Sequence, residues 1–265
     1  MLRITRGALP ALYVVIAYGF IFLPVSTLVL FSFQATTLPV PPFEGPSLRW
    51  YQAIFDDRRL MESLWNSVSV GILSALISVI LGFLAAYGLA RYRLPGSGFW
   101  RWVLTAPLTV SYLIIGLGLL ISFNLVALPK SLWAVGIGHV VINLPLCFAI
   151  IYSQLDEKQA RLEQAARDLG AAEWQVLIQI TTPLLWPALF ASFFLSFTLS
   201  WDEFIIALLV SQFDVTLPVE IWSMLRSGLN PETNAVGSLV FFVSAILVMV
   251  ASLLVLGRGM WQDSR

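Results

Sequence analysis

Charged residues are scarce in this 265-residue chain: Asp, Glu, Lys and Arg make up 11%, against 58% hydrophobic residues, and the mean hydropathy is +0.86. Soluble domains carry about 25% charged residues, so the shortage excludes an aqueous fold and points to lipid as the solvent. A basic excess is missing too. Fifteen Lys+Arg balance fifteen Asp+Glu, which removes nucleic acid as an expected partner. Cysteine occurs once, as Cys147 inside an apolar run, and one cysteine supports neither a disulfide framework nor a Cys-based metal site. Histidine also occurs once, as His139, with no nucleophile, base and oxyanion set around it, so no catalytic residue, metal site or cofactor is expected in the chain. Lysine stands only at Lys130 and Lys158, neither preceded by glycine. A Walker A Gly-Lys-Ser/Thr is therefore impossible, and the chain is not expected to hydrolyse ATP itself.

What the chain has instead is six apolar runs, near residues 9–31, 64–90, 102–123, 132–153, 184–210 and 236–256. A spanning helix needs about 20 apolar residues, and the runs lack the alternation of a lipid-facing barrel strand. The expected fold is an all-α integral membrane protein with about six transmembrane helices. The second and fifth runs exceed what a bilayer requires, which implies tilt or an extension outside it. The first run is longer than the 7 to 15 residues of a signal-peptide core and closes without an Ala-x-Ala site, so it reads as an uncleaved span. With the N-terminus provisionally inside, Arg3, Arg6, Arg91, Arg93, Arg101, Lys158, Arg161, Arg167, Arg258 and Arg265 fall on one side, and Arg49, Arg58, Arg59, Lys130 and Arg226 on the other. The positive-inside rule then makes both termini cytoplasmic. Three segments follow: residues 1–63 as first span and external loop, 64–257 as transmembrane core, 258–265 as cytoplasmic tail.

Smaller patterns refine this outline. Ser74, Ser78, Gly82, Ala86 and Ala90 place a small residue at every fourth position of the second span, a surface for close helix packing. Asn143-Leu144-Pro145 is a plausible kink, with Asn143 able to bond freed backbone groups. Residues 218–225 form a short amphipathic helix showing Val219, Trp222 and Leu225, either over the mouth of a pathway or resting in the interface. Asn230-Pro231 reads as the N-cap and first-turn proline of the sixth span.

The most informative stretch is LEQAARDLGAAEWQVLIQITTP, residues 162–183. Leu162, Ala165, Ala166 and Leu169 lie at i, i+3, i+4 and i+7, an apolar face flanked by Arg161, Gln164, Arg167 and Asp168. Gly170 permits a sharp break, and a second helical piece from about Ala172 leads to Pro183 in the first turn of the fifth span. This arrangement resembles the signature loop of the permease subunits of bacterial ABC importers: Glu-Ala-Ala, three residues, Gly, nine residues, Ile, one residue, Leu-Pro. Here it reads Gln164-Ala165-Ala166, Gly170, Ile180, Thr182 and Pro183, with Glu163 one position from the replaced carboxylate. SLRWYQAIF at 47–55, LWNSVSVG at 64–71 and SWDEF with LPVEIWSMLRSGLNPETNAVGSL within 200–239 look most like the second permease of spermidine/putrescine-type importers of this class (type I). The resemblance implies a cytoplasmic coupling helix between spans four and five, with Leu162, Glu163, Gln164, Ala165, Ala166, Arg167, Asp168, Leu169 and Gly170 engaging an ATPase subunit. It also implies the partners: a homologous second permease, two ATPase subunits that carry ATP and Mg, and a periplasmic substrate-binding protein, all at a bacterial inner membrane.

Asp202 and Glu203 fall in the outward half of the fifth apolar run, where an ionised acid costs about 2.5 to 3.5 kcal/mol near the bilayer centre. No Lys or Arg lies within a span, and His139 is the nearest candidate partner. Three explanations stand: a substrate pathway flanked by Trp201, a structural pairing within or between subunits, or a different span boundary. The expected function is half of the translocation pathway of an ATP-driven importer for a small solute, a polyamine or related organic cation. The alternatives are a self-contained secondary transporter using Asp202 and Glu203 as ion sites, or an importer permease for ferric ion or a phosphonate.

Overall fold

A computed structural model describes residues 5–92, 94–228 and 230–262. Arg3, Arg93 and Arg265, used in the orientation count, lie outside the described residues. In chain order the helices are α1 (Thr5–Ser32), α2 (Arg49–Asp56), α3 (Arg58–Arg91), α4 (Ser97–Thr105), α5 (Tyr112–Leu125), α6 (Leu132–Gln154), α7 (Glu157–Asp168), α8 (Glu173–Gln175), α9 (Thr182–Trp201), α10 (Ile205–Val210), α11 (Leu217–Ser227) and α12 (Pro231–Gln262). A 3-10 turn, Ala106–Thr109, follows α4, and a π-helical turn, Val176–Thr181, joins α8 to α9. The described residues contain no strand.

Among the described residues, five helices are long and apolar enough to cross a membrane, Pro10–Ser32, Arg58–Arg91, Leu132–Gln154, Glu173–Trp201 and Pro231–Val250, and a bent pair adds a sixth if counted as one span. The protein is an all-α, multi-pass membrane protein. The third apolar run corrects the sequence expectation of one continuous helix. Ser97–Thr109 and Tyr112–Leu125 meet at 107°, because Val110 turns extended and Ser111 caps a new helix by accepting from the Ile114 N–H at 3.4 Å. The fifth run also ends early. α9 stops at Trp201, residues 202–204 are non-helical, and α10 restarts at Ile205, so the run ends in a break followed by a separate short helix.

The chain forms two compact units, residues 1–61 with 220–245, and residues 62–219 with 246–265. In the first, Gln34 is buried and staples the proline-rich loop. Its side chain donates to Thr36 Oγ1 at 2.9 Å and the Pro42 carbonyl at 3.2 Å, and accepts from the Glu44 N–H at 3.0 Å. Trp50 Nε1 donates to the Gln34 carbonyl at 2.7 Å. Asn230 caps α12 as expected, its Oδ1 accepting from the Glu232 N–H at 2.9 Å.

The second unit holds the candidate sites. Val79, Phe83, Ala86 and Tyr87 of α3 pack with Cys147, Phe148 and Ile151 of α6 and Leu185 and Leu189 of α9. Between lipid-exposed helices such contact is driven by close packing rather than exclusion of water. The small residues of α3 serve this purpose: a Cβ on Gly82 would come within 2.9 Å of Cys147 Cβ and of the Phe148 nitrogen. A second cluster buries Val70, Ala134, Val135, Ile142, Ile206, Ala207 and Val210. Here α10 fits against glycines on both neighbours, since a Cβ on Gly116 of α5 or Gly138 of α6 would collide with Leu209 or Ile206. α6 runs unbroken through Pro145, and Asn143 bonds outward to the Ser196 carbonyl of α9 at 3.3 Å, not to its own helix.

Candidate functional site

Two regions of the second unit carry unusual polar chemistry, both framed by α3. At its Arg91 end lies α7. Asp156 starts that helix by accepting from the Gln159 N–H at 2.8 Å. Its end is a Schellman cap: Gly170, at φ +90°, donates to the Arg167 carbonyl at 2.9 Å, and Ala171 donates to the Ala166 carbonyl at 3.0 Å.

The helix is inverted relative to an ordinary surface helix. Leu162 is 54% exposed and Leu169 90% exposed; Gln164, Ala165, Asp168 and Gly170 are exposed with them, and Ala166 and Arg167 are half-buried. The fully buried side chain is an acid, Glu163. Arg91 grips it in a fork, Nε to Oε2 at 2.7 Å and Nη2 to Oε1 at 3.2 Å, and Thr181 Oγ1 donates to Oε1 at 3.0 Å. Glu163 thus faces the bundle with Ala166 and Arg167 half-buried beside it, while Leu162, Gln164, Ala165, Asp168, Leu169 and Gly170 are exposed. Arg167 ties the loop to the bundle as well. It donates to both Glu173 carboxylate oxygens, at 2.8 and 3.1 Å, and to Tyr87 Oη at 2.9 Å, and the Glu173 hydrogen bonds raise the guanidinium's pKa. Sequence reasoning missed Arg91, Tyr87, Glu173 and Thr181 as partners. Arg91 and Thr181 are 72 and 18 positions from Glu163, beyond the reach of any local pattern.

The other region is the break after α9. Residues 201–203 diverge there. Trp201 is buried, stacked on Phe197 with centroids 6.3 Å apart. Asp202 is exposed. Glu203 is buried and turns toward the start of α10, accepting from the Ile206 N–H at 3.0 Å and the Ala207 N–H at 3.1 Å. His139 Nε2 lies 3.3 Å from Glu203 Oε2, and its Nδ1 lies 2.5 Å from Ser200 Oγ, which in turn is 3.1 Å from Ser74 Oγ. One network therefore links α3, α6, α9 and α10; the sequence singles out Ser74 only as a packing residue, and Ser200 not at all. The two acids share no partner among the described residues: Glu203 bonds across the break, and Asp202 is exposed beside it. Among the described residues no His, Cys, Asp and Glu cluster could hold a metal.

Comparison with known proteins shows the family of the chain. Residues 78–262 match the family described as "binding-protein-dependent transport system inner membrane component". The chain is 32% identical over 258 residues to the putrescine transport system permease protein PotI of Escherichia coli (strain K12), covering 94% of this chain and 92% of that one. It is 28% identical over 254 residues to the spermidine/putrescine transport system permease protein PotC of the same organism, covering 95% and 94%. In fold it is similar to a crystal structure of a bacterial ABC transporter involved in the import of the acidic polysaccharide alginate, with TM-score 0.71, 17% identity and 96% of each chain covered. ATP hydrolysis in such systems resides in a separate subunit. The chain belongs to the family of inner-membrane components of binding-protein-dependent transport systems, and is a permease subunit of an ABC importer that forms its translocation pathway.

Proposed function

We propose that this permease carries a polyamine or related organic cation inward, and that α7 is its coupling helix, seated in a cytoplasmic ATPase subunit. The observation that supports the coupling role is the inversion of α7: Leu162 and Leu169 point out of the unit while Glu163 points in. An exposed apolar face on a short helix with a fixed end is a helix-in-groove ligand. Ala165 and Gly170 keep it thin enough to enter a cleft. In this reading the bent α4 and α5 pair counts as one crossing, giving six spans, both termini cytoplasmic by the excess of bases on that side, and a core over residues 64–257. A homologous second permease completes the path, two ATPase subunits drive it, and a periplasmic binding protein delivers the solute. Binding-protein dependence leaves no role for a self-contained secondary transporter.

The substrate class rests on the similarity to the putrescine and spermidine/putrescine permeases and on Asp202, an exposed acid projecting from a break in an otherwise apolar helix. Its neighbours Trp201 and Glu203 are buried. Cationic amines are recognised by such carboxylates, whereas ferric ion would call for a ligand cluster and a phosphonate for basic groups.

The docking reading is tested by Ala165→Trp, a bulky change at an exposed position of α7. The complex is expected to insert and lose its ATPase subunit on purification. Retention of stoichiometric ATPase with normal uptake would remove α7 from the interface.

A further inference from the structure

The buried ion pair between α3 and α7 is not needed to make α7 helical, since Asp156 and Gly170 already define its ends. Nor can it touch a docked partner, because Glu163 is fully buried and the Arg91 side chain is 9% exposed. Burying two charges costs solvation that their mutual attraction only partly returns, so a pair in this position calls for a role other than surface recognition. Its geometry supplies one. Glu163 is held from two directions, by the Arg91 fork at the end of α3 and by Thr181 immediately before α9. Arg91 Nη2 also donates to the Asp156 carbonyl at 3.3 Å, just ahead of α7. The opposite side of Gly170 is fastened by Arg167 to Glu173 and Tyr87. Gly170 itself has open space around it, so without these ties the loop could swing on it.

From this fastening we infer that Arg91, Glu163 and Thr181 form a clamp that makes α7, α3 and the start of α9 move together. α3 then carries the motion about 25 Å along its axis from Arg91 to Ser74. There Ser74, Ser200, His139 and Glu203 join α3 to the break that presents Asp202. Arg91 and Glu163 are positioning residues: they act on transport through the helices they bind, and set how much of each ATP-driven displacement reaches the far end. The inference rests on the reading of α7 as the docking helix, and the experiment separates the two.

The complete importer, with its second permease, ATPase subunits and binding protein, is reconstituted in proteoliposomes with Glu163→Gln, Arg91→Gln or Arg91→Lys. Three quantities are read: ATPase stoichiometry, ATP hydrolysis, and putrescine taken up per ATP. The clamp predicts full stoichiometry and continued hydrolysis in the Gln variants with uptake per ATP down about tenfold or more, the range of typical coupling energies. Arg91→Lys, which keeps the cation but not the fork, falls between them and the wild type. Unchanged uptake per ATP overturns the clamp. So does loss of inserted protein or of the ATPase subunit in all three variants, which makes the pair a folding element. Ala165→Trp, run alongside, reads docking alone. If it keeps its ATPase and its uptake, the docking reading fails, whatever the clamp variants do.

Discussion

Gly82 and Glu203 show how single residues set this bundle. Gly82 brings α3 against α6 so closely that one added methyl would meet backbone as well as side chain, and backbone cannot rotate away. Gly82→Ala should therefore destabilise by about 1 to 3 kcal/mol, seen as a lower unfolding midpoint of the detergent-solubilised complex. Gly88→Ala, on the same helix with nothing within 4 Å, should be neutral or slightly stabilising. Glu203 is a brace. Glu203→Gln replaces an acceptor facing two N–H groups and an imidazole with a mixed donor and acceptor, and should cost about 1.5 to 3 kcal/mol with a fall in assembled complex. The asymmetry with its exposed neighbour Asp202 was not legible in the sequence. Adjacent acids look equivalent in a string, and what makes them different is the break that turns Glu203 onto the Ile206 and Ala207 N–H groups and toward His139, 64 positions away in the chain.

Among the elements, those whose signals are local were readable. α7 and its glycine stop, the proline at the start of α9, the Asn230 cap of α12 and the small-residue face of α3 all follow from side chains within a few positions of the feature they create. The two breaks were not. Ser-Trp-Asp-Glu-Phe contains neither Gly nor Pro, and every residue in it tolerates a helix. The chain leaves helical geometry after Trp201 because Glu203 binds the N–H groups of α10, which itself nests on Gly116 and Gly138. The bend before α5 has local causes in Pro107 and Ser111, but they lie inside a continuous apolar run that reads as one span. The direction of α7 was half legible. Its apolar face was apparent, and so was Glu163, yet helix periodicity cannot tell whether the acid or the leucines face inward. The pairing with Arg91 decides that.

Across the whole molecule, the parts divide by role. Apolar helices supply the frame; in the function proposed above, α7 offers a surface to an energy-supplying partner and the break after α9 offers an acid to a passing solute. The chain contributes shape and direction and leaves the chemistry to another subunit. The central claim is that this permease conducts a cationic amine under ATP drive, past Asp202. Its most direct test is uptake of radiolabelled putrescine by the complete reconstituted importer, wild type against Asp202→Asn, with ATPase stoichiometry and unfolding midpoint recorded for both. ATP-dependent uptake is expected from the wild type, and the variant is expected to assemble with an unchanged midpoint while its uptake falls about tenfold, as for loss of one charge-assisted contact. Equal uptake by the two complexes, or no amine uptake by a fully assembled, ATP-hydrolysing wild type, would contradict it.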